Sequence, residues 1–258
     1  MRLIMSQRAA PLNGSEAKMS YGVLPESDPC AAIRDAPAGR SFVVAQLGQS
    51  LDGRVATPSG ESRWINRQAA LDHLHRLRAA VDAVIVGIGT VVADDPLLNV
   101  RRVSGRNPAR VVIDPTGRLP ADARCLADDG ARRFVVRGRD GPAPEGVEVV
   151  RLDCEGGTFA PRAIVAALFE RGLRRLLIEG GACTVSRFID AEAVDRLHIL
   201  VAPMILGCGK VGIELSPIAK LSQARRPCTR VHILEDGDVL FDCDLRGGPE
   251  AFDKGSRR

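Results

Sequence analysis

The residues best placed to do chemistry lie in Leu176-Leu177-Ile178-Glu179-Gly180-Gly181-Ala182-Cys183-Thr184-Val185. An apolar run fit for a buried strand ends on the Glu179 carboxylate. Two glycines then let the backbone turn sharply and a ligand approach closely. From Ala182 to Ala191 the pattern becomes helical. The first N–H groups of such a helix have no partner within it, and a phosphate binds well there. An ordinary βα turn has the same look, so this stretch carries weight only with a second one. Ala83-Val84-Ile85-Val86 running into Gly87-Ile88-Gly89-Thr90 supplies it, with Thr90 expected to cap a single helical turn that Pro96 stops. Two such junctions can clamp a long anionic ligand from two sides. Asp94 and Asp95 lie in that turn, Asp95 reading as a helix-stop residue, and Arg101 and Arg102 follow. Arg78 borders the apolar stripe of an earlier helix. It reads either as a snorkelling surface residue or as an anion ligand at the core edge.

These groups need elements to hold them. Ser41 to Leu47 reads as the first strand and Gly48 to Arg54 as a turn-rich loop. Asn66 is a good N-cap for a helix over 67–80, whose Ala70, Leu71, Leu74, Leu77 and Val81 keep helical spacing. Further strands are expected at 83–86, 109–114, 133–136, 147–150, 173–179 and 194–203. A helix opens at Pro161 and ends at Gly172. Residues 204–212, with Lys210, form a Gly-rich turn, and 231–235 with 239–245 form a closing hairpin around Asp236-Gly237. Strands alternating with helices, then two strands in succession, predict an α/β fold with a mainly parallel sheet and an antiparallel C-terminal edge. Ligands then bind at the C-terminal ends of the strands, where both glycine junctions sit. Residues 1–39 read as a flexible extension, 40–246 as the functional domain and 247–258 as a flexible tail.

Composition narrows the chemistry. Of 258 residues, 45% are hydrophobic and 26% charged, enough for a sizeable core. Aromatics at 3% and a scattered net charge of +4 disfavour a nucleic-acid surface and suit an anionic small molecule. No apolar run approaches the roughly 20 residues of a membrane helix. Met1 to Ile33 lacks a signal-peptide core, so the chain reads as cytoplasmic and without membrane partners. Seven dispersed cysteines without Cys-x-x-Cys argue for thiols rather than a metal site. There is no Gly-x-Gly-x-x-Gly after the first strand, no phosphate-binding Gly-x-x-x-x-Gly-Lys-[Ser/Thr], no Gly-x-Ser-x-Gly and no zinc-deaminase signature.

A set of short motifs goes further. Ser50-Leu51-Asp52-Gly53-Arg54, Ser59-Gly60-Glu61-Ser62-Arg63-Trp64-Ile65, Gly87-Ile88-Gly89-Thr90-Val91, Asp94-Asp95-Pro96, Ile178-Glu179-Gly180-Gly181 and Ala202-Pro203-Met204-Ile205-Leu206-Gly207 occur in that order. Together, over about 41–245, they resemble the reductase of riboflavin biosynthesis, both the C-terminal domain of the bifunctional deaminase–reductase and the stand-alone reductases. The resemblance implies a dihydrofolate-reductase-like three-layer fold, a homodimer, and NADPH as reductant of the ribosyl group of a phosphoribosylaminopyrimidine. It further implies cofactor contacts at Gly48, Trp64, Thr90 and Asp94, and a phosphate-wrapping segment of Gly181, Ala182, Cys183, Thr184, Val185, Ser186 and Arg187. Substrate contacts are implied at Ser62, Arg78, Leu98, Arg101 and Glu179, with Arg78 and Arg101 suited to a 5-phosphate because guanidinium binds phosphate through paired hydrogen bonds. Arg118 and Arg137 are the candidates for the cofactor's 2′-phosphate. Asp94 or Glu179 is the candidate to polarise the imine or relay a proton.

Gln46 stands where many bifunctional members carry lysine. The N-terminal 40 residues cannot hold a deaminase, so the substrate reads as either the deaminated uracil or its diaminopyrimidine precursor. Two alternatives remain: a reductase of a dihydrofolate or other pterin-like compound, and a non-catalytic nucleotide-binding module.

Overall fold

In the computed structural model, residues 28–138 and 143–247 are described. The strands are β1 (Phe42–Ser50), β2 (Arg54–Ala56), β3 (Ala83–Gly87), β4 (Ala109–Ile113), β5 (Arg133–Arg137), β6 (Glu148–Arg151), β7 (Arg175–Glu179), β8 (Arg196–Ala202), β9 (Lys210–Val211), β10 (Cys228–Ile233) and β11 (Val239–Asp244). The helices are α1 (Ala31–Arg34), α2 (Gln68–Ala80), α3 (Ile88–Asp94), α4 (Pro161–Glu170) and α5 (Ala182–Asp190). Among the described residues, nine strands form one sheet in the order β10-β11-β8-β1-β7-β3-β4-β5-β6. It is parallel from β8 to β6, and β11 and β10 add the antiparallel edge.

The central strands are apolar on both faces because both are covered. Val43, Ala45, Leu47, Ile85 and Ile178 pack with Ile164 and Leu168 of α4 and Val185 and Phe188 of α5. Their alternate neighbours Phe42, Val44, Val84, Val86 and Leu177 pack with Ile33 of α1, Leu77 of α2 and Val91 of α3. Three layers follow from this period of two.

Several local expectations are corrected. The first strand runs past Leu47 to Ser50, because β8 pairs it out to Ser50↔Ala202. The expected turn at 204–212 contains β9, which pairs with β2 as a short antiparallel ribbon. Residues 28–38 are not a loose extension: α1 buries Ile33 fully, with Cys30 beside it in the same core cluster. The remainder of the expected extension, residues 1–27, and 248–258 of the expected tail lie outside the described residues. Asn66 does not cap α2, whose N-cap position is Arg67 with no side-chain cap bond. The caps come from the far hairpin instead: Ala69 N donates to Asp236 Oδ2 and Arg67 N to Asp238 Oδ2, both at 2.8 Å. Thr90 is not an N-cap either; α3 starts at Ile88 and Thr90 lies inside it. Asp95 does end that helix, in the left-handed region at φ 39°.

Candidate active site

β3 and β7 are neighbours and parallel, with Ile85 opposite Ile178, so both glycine junctions reach the same sheet edge. They interlock there. A Cβ on Gly181 would lie 2.8 Å from Thr90 Oγ1, and one on Gly87 would lie 2.6 Å from Thr184 Oγ1. Each junction's glycine makes room for the other's threonine. The junctions therefore form one continuous wall rather than a clamp from two sides. Gly180 and Gly181 turn at φ 71° and 74°, a conformation that disfavours side chains. Thr184 N and Val185 N donate to Gly181 O, which leaves the N–H groups of Ala182 and Cys183 as the first-turn donors without a helical acceptor.

This wall bounds a cavity of about 1240 Å³. The cavity gathers Gly48, Ser62, Trp64, Arg78, Thr90, Asp94, Leu98, Arg101, Glu179, Gly181, Ala182, Cys183, Thr184 and Arg187. Two residues of the expected phosphate segment turn away from it: Val185 is fully buried in the core, and Ser186 Oγ accepts from Glu214 N at 3.0 Å. Arg118 lines the cavity, but Arg137 is buried beside Asp114, with Nη2 3.7 Å from Oδ2. The cavity also takes in Arg124, Asn66 and Lys210, which sequence reasoning did not assign. Nothing local marks them: Asn66 arrives on a loop, Arg124 on a 3-10 turn and Lys210 on β9.

One end of the cavity is built on α2. Arg78 is buried, and its Nε donates to Glu179 Oε2 at 2.7 Å while Nη2 donates to Oε1. Its Nη1 donates to Asn99 O at 2.9 Å. The preceding residue, Leu98, is buried with φ 54°, which aims that carbonyl at the guanidinium. Arg78 is thus neither a snorkelling residue nor an uncommitted anion ligand. Glu179 takes up most of its hydrogen-bonding fork.

Arg101 is different. It is exposed at the cavity, its Nη1 donates to Asn99 Oδ1 at 2.9 Å, and it makes no ion pair among the described residues. Burial of part of the side chain and the charge of Arg78 lower its pKa from the ordinary arginine value. Its backbone N donates to His75 Nδ1 at 3.1 Å. Burial, then Arg78 and Arg101, push His75 down to about 4, so at neutral pH it is an uncharged acceptor. Arg118 and Arg124 line the same cavity and likewise make no ion pair among the described residues. Arg63 and Arg187 also line the cavity without an ion pair among the described residues, and five guanidiniums without carboxylate partners make this a site for anions.

Backbone strain collects here too. Trp64 (φ 74°), Asp95 and Leu98 all line the cavity, and each left-handed residue costs on the order of 1–3 kcal/mol unless its surroundings hold it. Gly48 is sterically required: a Cβ there would meet Asn66 Oδ1 at 2.0 Å. Gln46 lies opposite Glu179 in the β1–β7 register, at the cavity floor. Asp94 is exposed at the cavity and makes no ion pair among the described residues.

Comparison with known proteins agrees with this architecture. A family model described as the RibD C-terminal domain matches residues 41–238. A 2,5-diamino-6-ribosylamino-4(3H)-pyrimidinone 5′-phosphate reductase of Methanothermobacter thermautotrophicus is 36% identical over 176 residues, 65% of this chain and 80% of that protein. The riboflavin biosynthesis protein RibD of Mycobacterium tuberculosis is 31% identical over 226 residues, 84% of this chain and 60% of its own length. The solved structure of Acinetobacter baumannii RibD superposes with a TM-score of 0.70 at 30% identity, over 81% of this chain and 59% of that one.

Proposed function

The chain belongs to the RibD C-terminal domain family, and we propose that it is a reductase of a ribosylaminopyrimidine 5′-phosphate that uses NADPH. The diaminopyrimidine is the preferred substrate in this reading, because the relative named for it is matched over 80% of its length and RibD over only 60%. The observation that carries the reading is the meeting of two glycine junctions and five arginines that make no ion pair among the described residues in one cavity.

The cavity fits a nicotinamide dinucleotide. The glycine turn at Gly180 and Gly181 leads into the first N–H groups of α5, which have no helical acceptor, and pyrophosphate suits that helix start. Trp64, Thr90 and Gly48 border the rest of it. Arg118 and Arg124 are placed to hold a 2′-phosphate, and Arg101 to hold the substrate's 5′-phosphate. Arg78 and Glu179 act as one unit, presenting a fixed guanidinium edge to the substrate. A bound reduced nicotinamide supplies the hydride. The substrate accepts it at C1′ of the opened, imine form of the ribosyl group, and the imine nitrogen takes a proton. Asp94 is the carboxylate at the cavity free to pass that proton, since both oxygens of Glu179 are held by Arg78. The chain's main contribution is orientation and charge.

The test is NADPH oxidation, followed by loss of reduced-nicotinamide absorbance, with the diaminopyrimidine, the deaminated uracil and dihydrofolate side by side. Turnover of either phosphoribosyl compound supports the reading. Turnover of dihydrofolate alone overturns it, and so does NADPH binding with no turnover. Arg101→Ala should raise KM for the phosphorylated substrate about tenfold or more with the fold intact.

A further inference from the structure

We propose that Asp238, in the turn of the C-terminal hairpin, is a positioning residue for the cofactor end of the cavity, acting through Asn66 and Arg67 on Trp64 and Gly48. The inference rests on the functional reading above for its kinetic part only. Asp238 is fully buried, and its Oδ2 accepts from Arg67 N at 2.8 Å and from Asn66 Nδ2 at 3.2 Å. The same Asn66 amide donates to Leu200 O at 3.3 Å, and its Oδ1 rests against β1 where a Cβ on Gly48 would lie 2.0 Å away. Asp238 therefore fixes the side chain that closes off Gly48.

Capping α2 accounts for only part of what this carboxylate does. Asp236, two residues earlier, already accepts from Ala69 N inside the first turn, and Arg67 Nη1 donates to Asp236 O. Asp238 holds the N-cap residue Arg67 and also reaches Asn66, in the segment ahead of the helix. That segment needs an anchor. Trp64 has its backbone in the left-handed region and is 74% exposed as a residue, so packing does not hold it. Its own loop is tied at Thr57 to Glu61, several residues away; beside Trp64 it offers a 3.5 Å turn bond from Ile65 N to Ser62 O and the buried Ile65 side chain. The firm attachment is the pair of bonds to Asp238, across 171 and 172 residues of sequence. A buried carboxylate facing a helix N-terminus is a strong acceptor for such N–H groups.

Trp64 is the only tryptophan, so its fluorescence reports on this segment without labels. Four variants are compared with wild type: Asp238→Ala, Asp238→Asn, Asn66→Ala, and Ile33→Ala as a buried site remote from the cavity. Trp64 anisotropy is read in the ligand-free protein, KM for NADPH and kcat by initial rates, and stability by urea. Asp238→Ala should lower the anisotropy and raise KM for NADPH about tenfold with kcat within about twofold. Asn66→Ala, which leaves both helix caps in place, should do the same. Asp238→Asn keeps an acceptor oxygen and should restore KM to within about twofold of wild type. Ile33→Ala should lose stability with anisotropy and KM unmoved. Wild-type anisotropy in both Asp238→Ala and Asn66→Ala overturns the inference, as does a KM rise that Ile33→Ala reproduces. A wild-type protein that oxidises no NADPH sinks the functional reading, while the anisotropy comparison still decides whether Asp238 holds Trp64.

Discussion

Helix α2 covers two buried polar clusters on the same sheet face, and they differ in one respect. Glu179, Gln46, His198 and Asp242 form a row in register across β7, β1, β8 and β11. At one end Arg78 forks onto Glu179 and both line the cavity. At the other, His73 Nε2 lies 3.0 Å from His198 Nδ1, His198 Nε2 lies 3.1 Å from Asp242, and Arg196 forks onto Asp242 at 2.5 and 2.8 Å. None of these four borders the cavity. Burial, then the neighbouring His198, push His73 down to about 3. Burial alone would raise the Asp242 carboxyl, but hydrogen bonds from His198 and Arg196 outweigh it and hold it below the usual range. Both clusters are polar and buried. A perturbed titratable group marks function only where a ligand can reach it.

The comparison can be pressed experimentally. The largest effects are expected at the two buried ion pairs. Asp242→Ala strips buried Arg196 of its forked partner, leaving the 3.4 Å contact with Asp244, and should cost about 3 kcal/mol in urea unfolding, with KM of the folded fraction unchanged. Arg78→Ala should cost about 3 kcal/mol by the same logic and abolish most turnover as well. The paired variant Arg78→Met/Glu179→Leu sharpens this: it should regain most of the stability, because the uncompensated charge is gone, yet stay inactive. Activity in that double variant would put both clusters in one structural class. Gly181→Ala should cost about 1–2 kcal/mol and weaken NADPH binding, since its Cβ meets Thr90 Oγ1. Gly172→Ala has similar strain at φ 80° with nothing within 4 Å, so it should lose stability alone. The gentlest test is pH. His73 and His75 bind protons more weakly folded than at their ordinary value of 6.5, so the unfolded chain takes up more protons below that pH. Stability should therefore fall as pH drops from 6.5 towards 4, each histidine adding up to about 1.4 kcal/mol per pH unit. His75→Asn should remove its share and, by keeping an acceptor for Arg101 N, leave KM near wild type.

Much of the scaffold could be read from residue order. The strand runs at 83–86, 109–114, 133–136 and 173–179 match β3, β4, β5 and β7 because double-sided burial leaves unbroken apolar stretches. Helix ends were less legible. Asn66 and Thr90 looked like caps by type, but a cap is decided by which oxygen reaches the free N–H groups. Here Asp236 and Asp238 arrive first from the far hairpin. α2 shows the same limit. Its leucine spacing was visible, but His73, His75 and Arg78 are more deeply buried than Leu74, because His198, the Arg101 backbone and Glu179 each offer a partner.

The sequence by itself determined the two glycine junctions and their place at strand ends, because hydrophobic period and glycine's freedom act over a few neighbouring residues. Only the tertiary structure decided that those junctions interlock side by side, that Arg78 is spent on Glu179 while Arg101 is left open, and that Asp238 holds the tryptophan loop. Those outcomes depend on which groups meet far along the chain, 101 residues apart for Arg78 and Glu179 and 171 for Arg67 and Asp238. A polar side chain carries no periodic signal that names its partner; the packed sheet and helices bring the pair within hydrogen-bonding reach.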